Sequence, residues 1–176
     1  MKLYRIILVD DEEEVRKSII RKIKWEENGF LVAGDAENGE DALEKIEMLE
    51  PDLILTDIRM PYMDGLTLAE RVRQKYPSMK IVIFSGYDDF EYAKQAIKLN
   101  VTEYILKPVN VEELTAILQK IKANLDQEIE QKRNVNLLRE NYIKSLPILR
   151  EQFLNELVNA PVSFELVEAR LKEYGI

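Results

Sequence analysis

The chain has 176 residues, 46% hydrophobic and 33% charged, which suits a folded protein with one substantial core rather than a disordered or fibrous one. It contains no cysteine, which excludes disulfides and thiolate metal sites and favours a cytoplasmic setting; with no histidine either, imidazole-based triads and imidazole ligands are excluded. The net charge of −8 divides into −6 over residues 1–125 (18 basic, 24 acidic) and −2 over 126–176 (7 basic, 9 acidic), so neither part has the basic surplus of a module that grips nucleic-acid phosphates.

The N-terminus runs through a short apolar stretch into Asp10, too short and too soon acidic for a signal peptide, and no apolar window approaches the ~20 residues of a membrane span. Residues 4–9 read as a strand, because the continuous run Ile6-Ile7-Leu8-Val9 is the pattern of a parallel strand covered on both faces. A helix follows over 12–24, with Val15, Ile19 and Ile23 as its apolar stripe. Then come a strand at 30–33, a helix at 39–49 with Ala42, Ile46 and Leu49 on one face, and a strand at 53–56. A helix at 65–76, a strand at 81–84, a helix at 88–99, a strand at 103–106 and a long helix from about residue 110 complete the series. Five strands alternating with five helices through short loops predict an α/β fold, a doubly wound parallel sheet of order 2-1-3-4-5. Right-handed crossovers then place the crevice outside the carboxyl ends of the strands.

Beyond Lys107-Pro108 the periodicity changes. Leu118, Ile121, Leu125, Val135, Tyr142, Leu146, Leu149 and Phe153 follow a 3-4 spacing that Glu128, Lys132 and Arg139 interrupt, a coiled-coil-like seam with polar defects. Such a seam pairs two chains weakly or packs within one; the expectation adopted is a homodimer. Pro147 cannot donate an amide bond inside a helix, so a break is expected near Ser145-Leu146, with Pro147 in the first turn of a new helix. Residues 159–163 read as a loop, Ser163 as the cap of a last short helix, and Gly175 as its end. The expected organisation is a compact domain over 1–125 and a helical connector over 126–176.

Carboxylates fall where this fold would gather them. Asp10-Asp11 follows the first strand and Asp57 ends the third, and these strands are neighbours in the order 2-1-3-4-5. Like charges at one rim are costly unless a hard cation neutralises them, and oxygen-only ligation suits Mg²⁺. Ser85 holds the same place after the fourth strand and Lys107 after the fifth. A hydroxyl and an ammonium added to three carboxylates make a cradle for a transferred phosphoryl group. Taken singly, each has a plainer explanation: an acidic pair capping a helix, a Lys-Pro turn, a Ser-Gly turn. Their joint occurrence at four strand ends favours the chemical site.

The segments that carry this constellation are Ile7-Leu8-Val9-Asp10-Asp11-Glu12, Leu53 through Gly65, Phe84-Ser85-Gly86-Tyr87, and Tyr104-Ile105-Leu106-Lys107-Pro108. In them the chain resembles the receiver domain of bacterial two-component response regulators, with the CheY-like fold, over nearly all of 1–125. The resemblance implies a phosphoacceptor with no turnover of an external substrate, served by a sensor histidine kinase. It makes Asp57 the phosphoacceptor, Asp11 a direct Mg²⁺ ligand, Asp10 the holder of metal-bound water, and the Arg59 backbone carbonyl a further ligand. It makes Lys107 the charge partner of the phosphoryl group, Ser85 the switch hydroxyl and Tyr104 the aromatic that follows it. Arg59 and Tyr87 take the places of side chains that modulate dephosphorylation. Lys17, Arg21, Lys22 and Lys24 on the first helix either assist kinase docking or form a solvated basic face.

Trp25-Glu26-Glu27-Asn28-Gly29-Phe30, the run Ser85 through Lys94, and Leu146 through Leu154 are similar to the YesN-type subfamily. There a helical connector and an AraC-type helix-turn-helix DNA-binding domain follow the receiver. No such module fits in 126–176, so the chain is expected to be an N-terminal fragment that regulates transcription and touches DNA only through an absent output domain. Two rivals stand beside this reading. One is a metal-dependent phosphohydrolase with an aspartyl nucleophile, which would usually carry a second carboxylate two residues on, where Arg59 stands. The other is a pseudo-receiver serving only as a dimerisation scaffold, disfavoured because every site position holds a competent residue.

Overall fold

Five short apolar runs become strands: β1 (Tyr4–Val9), β2 (Phe30–Ala36), β3 (Leu53–Asp57), β4 (Lys80–Ser85) and β5 (Glu103–Leu106). Between them lie α1 (Glu13–Lys22), α2 (Gly39–Leu49), α3 (Gly65–Lys75) and α4 (Phe90–Lys98); α5 (Val111–Asn159) and α6 (Phe164–Tyr174) follow. The computed structural model describes residues 2–86, 90–159, 161 and 163–175. It divides into two compact units, Met1–Asn124 and Leu125–Ile176.

In the first unit all strand pairs are parallel and the order is β2-β1-β3-β4-β5. Ile6 through Val9 and all of β3 are buried, as expected of central strands covered on both faces. On one face Ile7, Val9, Ile54, Ile81 and Ile83 pack with Ala42 and Ile46 of α2 and with Leu68, Ala69 and Val72 of α3. Alternate strand residues point the other way, the side on which α1 and α5 bury Ile19, Leu114, Leu118 and Ile121. Asn38 caps α2 by accepting from the Glu40 and Asp41 amides, and Asp64 caps α3 by accepting from Thr67, 2.7 Å away.

β2 runs to Ala36, three residues past the expected end. Gly34-Asp35 looks like turn chemistry, yet both residues pair with β1, because a register shift between Ile6 and Ile7 skips Ala33 and restores the ladder. Such a bulge is tolerated on the edge strand. The Trp25–Phe30 segment forms a tight turn closed by Gly29 at φ 86, with the Tyr4 amide donating to the Gly29 carbonyl at 2.9 Å. A Cβ on Gly29 would stand 2.5 Å from Lys122 Cε, and Gln119 Nε2 donates to Asn28 Oδ1 at 3.3 Å, so this turn packs beneath the first turns of α5.

In the second unit α6 folds back on α5. Phe153 is buried edge-on to Tyr174, ring centroids 6.0 Å apart, and Arg150 Nε donates to the Tyr174 carbonyl at 2.6 Å. Ser163 caps α6 and Gly175 ends it, as expected; Asn159, expected in the loop, closes α5 instead, and Ala160 and Val162 lie outside the described residues. The expected break at Ser145-Leu146 does not occur: α5 continues with Pro147 inside it. Proline removes one amide donor and crowds one turn, a local cost that the packing of Phe153 and Arg150 one to two turns later offsets. The Ser145 hydroxyl meanwhile donates to the Tyr142 carbonyl at 2.7 Å. Pro147→Ala restores the missing donor and is expected to stabilise the helix by about 3 kcal/mol, read as higher helical ellipticity and later thermal loss of helix.

The ends of the 3-4 seam pack within the chain, Leu118 and Ile121 in the first unit and Phe153 in the second. Between them α5 exposes Ile129, Val135, Leu137, Leu138, Tyr142 and Ile143.

Candidate functional site

The strand register brings the chemistry together. Val9 lies opposite Thr56, Asp57 opposite Phe84, and Ser85 opposite Leu106, so β1, β3, β4 and β5 deliver Asp10, Asp57, Ser85 and Lys107 to one rim. Carboxylate oxygens of Asp10, Asp11 and Asp57 lie within 4.8 Å of one another. Asp10 is 1% exposed and held on every side. Its amide donates to the Ala36 carbonyl at 3.1 Å, Oδ1 accepts from the Glu12 amide at 2.9 Å, and Oδ2 accepts from Lys107 Nζ at 2.9 Å. Lys107 Nζ also reaches Asp57 Oδ1 at 3.3 Å, and its amide donates to the Ser85 carbonyl at 2.7 Å. The Lys107-Pro108 peptide is cis.

Electrostatics follow from this crowding. Burial pushes the Asp57 carboxyl above its ordinary range; Lys107 draws it back, and the neighbouring Asp10 raises it further. Burial alone would lower the Lys107 ammonium, but the hydrogen bond and charge of Asp10, joined by Asp57, outweigh it and hold the pKa above the ordinary value. Three clustered carboxylates against one ammonium leave negative charge that a hard cation would neutralise. An all-oxygen donor set without histidine or cysteine fits Mg²⁺.

The loop after β3 is tied from both ends. Gly65 donates to the Ile58 carbonyl at 2.8 Å, Met63 to Pro61 at 2.8 Å, and Gly39 of α2 to Met63 at 3.1 Å. The Arg59 guanidinium stands over the Tyr92 ring, 5.6 Å from its centroid, and both line an open recess with Asp11 and Asp64. Ser85 is buried at the end of β4. Tyr104 is half-buried, and its enclosed hydroxyl has no hydrogen-bond partner among the described residues. Tyr87 lies outside the described residues. Of the basic residues on α1, Lys17 pairs with Glu13 at 2.7 Å, Arg21 donates to the Lys17 carbonyl, and Lys22 lines a groove with Val15, Ser18 and Pro108. Lys24, just after α1, pairs with Glu27.

Arg16 was not singled out by sequence reasoning. It is almost fully buried and donates from Nη1 to the Asp10 carbonyl and from Nε to Asp35. The signal was available: Arg16 stands three residues before Ile19 and seven before Ile23, a charged side chain on the core-facing stripe.

The chain belongs to the response regulator receiver domain family, whose model matches residues 6–119. It is similar to the uncharacterized transcriptional regulatory protein YesN of Bacillus subtilis, 37% identical over 158 residues that make 89% of this chain and 42% of that protein. It is also similar to the transcriptional regulatory protein HptR of Staphylococcus aureus, 31% identical over 157 residues, 89% of this chain and 61% of that one. The chain thus spans about half the length of these curated relatives. Among solved structures it resembles the receiver domain of AraT, a response regulator from Geobacillus stearothermophilus, with 39% identity, a TM-score of 0.68, and coverage of 72% of this chain and 98% of that one. A two-component transcriptional regulator AraC from Clostridium phytofermentans matches at 35% identity and a TM-score of 0.65, over 71% and 98% of the two chains. The fold is therefore the CheY-like receiver, in a family whose members are generally not turnover enzymes and whose relatives include transcriptional regulators. Among the described residues no helix is long and apolar enough to cross a membrane.

Proposed function

We propose that Asp57 accepts a phosphoryl group and that residues 1–125 form the switch that this modification throws. One observation carries the reading: a single ammonium, Lys107 Nζ, bridges Asp10 and Asp57 beside the Asp11 carboxylate, at the ends of three strands. A Mg²⁺ ion held by Asp11, Asp57 and the Arg59 carbonyl, with Asp10 orienting its water, would neutralise the charge gathered at the rim. The chain's own residues do the rest. An oxygen of Asp57 attacks phosphorus in line, the phosphorus–nitrogen bond of a phosphohistidine breaks, and its electron pair returns to the imidazole, which takes up a proton. Lys107 stays paired with the equatorial oxygens, and the Ser85 hydroxyl donates to one of them. With no histidine in these residues, the phosphoryl group comes from a separate protein, a sensor histidine kinase, or from a small phosphodonor; the kinase docks over the groove that Val15, Ser18, Lys22 and Pro108 line beside Lys107.

Tyr104 follows the movement of Ser85 toward the phosphoryl group; its enclosed hydroxyl has no hydrogen-bond partner among the described residues and gains by moving. Arg59 and Tyr87 govern access of water and so the lifetime of the modified state. The exposed apolar residues of α5 between 129 and 143 serve as the contact of a homodimer, and residues 126–176 connect the switch to a DNA-binding output domain of the full-length cytoplasmic regulator. The test uses acetyl phosphate with Mg²⁺. Intact-mass measurement is expected to gain one phosphoryl group on wild-type protein and none on Asp57→Asn; modification that survives the substitution defeats the assignment.

A further inference from the structure

We infer that Arg16 is a positioning residue for the acidic rim: by gripping the peptide group between Asp10 and Asp11 it sets the direction of the Asp11 carboxylate and strengthens divalent-cation binding. The inference rests on the reading of that rim as a Mg²⁺ site. Arg16 Nη1 donates to the Asp10 carbonyl at 2.5 Å, a buried contact, while Nε donates to Asp35 Oδ2 at 2.7 Å. The Asp10 carbonyl belongs to the planar unit that also contains the Asp11 amide, so fixing it fixes both the Asp10 ψ and the Asp11 φ. Asp11 is exposed, and its aim depends on that backbone more than on packing. Asp10 has its carboxylate oxygens and amide engaged by Lys107, Glu12 and Ala36; Arg16 adds a restraint on the carbonyl.

The anchor is itself held. Asp35 lies opposite Leu8 on the edge strand, and Lys45 Nζ donates both to the Asp35 carbonyl at 2.6 Å and to Asp41 Oδ2 at 2.9 Å. The restraint therefore runs from α2 through β2 and Arg16 to the metal-facing turn. Residues behind a metal's ligands commonly change its affinity ten- to a hundredfold when removed.

Sign separates positioning from simple charge. Arg16 is a cation near the rim, so as a mere charge it repels Mg²⁺ and its removal would tighten binding. As a positioning residue its removal weakens binding. Calorimetric titration of the full chain with Mg²⁺ is expected to give about tenfold weaker affinity for Arg16→Met and an intermediate value for Arg16→Lys, which keeps charge and one donor. At saturating Mg²⁺ the Arg16→Met protein is expected to recover a near wild-type rate of modification by acetyl phosphate, a recovery that general damage to the fold would not give. Arg16→Lys keeps the charge, so weaker binding there cannot come from charge, and that variant decides the matter if Arg16→Met does not fold. Unchanged or tighter binding in Arg16→Met, or in Arg16→Lys where that variant decides, overturns the inference. Wild-type protein that binds no Mg²⁺ overturns the metal reading itself, and the inference with it.

Discussion

Replacing Gly65 with alanine is expected to destabilise the first unit by about 3 kcal/mol, measured as the urea midpoint at an unchanged slope. A Cβ there would collide with the Asp57 carbonyl oxygen and lie 2.9 Å from its carbon and 3.1 Å from Ile58 Cα. All three are backbone atoms, which cannot rotate aside as a side chain would. The start of α3 must retreat, which breaks the 2.8 Å bond from the Gly65 amide to Ile58 and moves the strand end that carries Asp57. Gly86→Ala is the control: no described residue stands within 4 Å of its added carbon, and it is expected to leave the midpoint unmoved.

Lys107→Met keeps the length of the side chain and deletes its charge. Asp10, 1% exposed, then remains as a buried carboxylate without its ammonium, and Asp57 loses the interaction that partly offsets its burial. Breaking one side of a buried pair costs about 3–5 kcal/mol; with Lys107 itself 21% exposed, about 3 kcal/mol is expected in metal-free protein. Saturating Mg²⁺ is expected to restore part of the loss, because a cation again faces the carboxylates. The rate of modification by acetyl phosphate is expected to fall about a hundredfold even then, since on the proposed reading Lys107 is a preorganised donor to the transferred group. Urea unfolding with and without Mg²⁺, beside the modification rate, reads all three. The pH dependence has a definite sign. The Lys107 pKa is raised above 10.5, so its stabilisation is complete at neutral pH and is lost only as the pH rises through that raised value.

Much of this was legible because the signals were local. The apolar runs of β1 and β5 mark their strands to the residue, and the helical stripes of α1 and α2 give their buried faces. Asp57, Asp10, Ser85 and Lys107 could be gathered on paper once the strand order was assumed. The misses needed information from other elements. Gly34-Asp35 joins β2 because β1 offers a bulged register, which no property of those two residues announces. Pro147 stays helical because α6 packs on the same stretch of α5. Gly65 looks like an ordinary turn residue until the Asp57 carbonyl is seen beneath it, and Arg16 looks like one more solvated cation until its carbonyl partner is known.

The turn at Trp25–Phe30 has an optical consequence. Trp25 is the chain's one tryptophan, 8% exposed, its indole N–H donating to the Ile20 carbonyl at 3.0 Å, and the same turn supports α5 through Asn28 and Gly29. The protein therefore carries a native fluorophore at the footing of its long helix rather than among the acidic residues of the rim. Emission that changes on addition of acetyl phosphate with Mg²⁺ would report rearrangement at that footing, with no dye attached and no competing tryptophan signal to subtract.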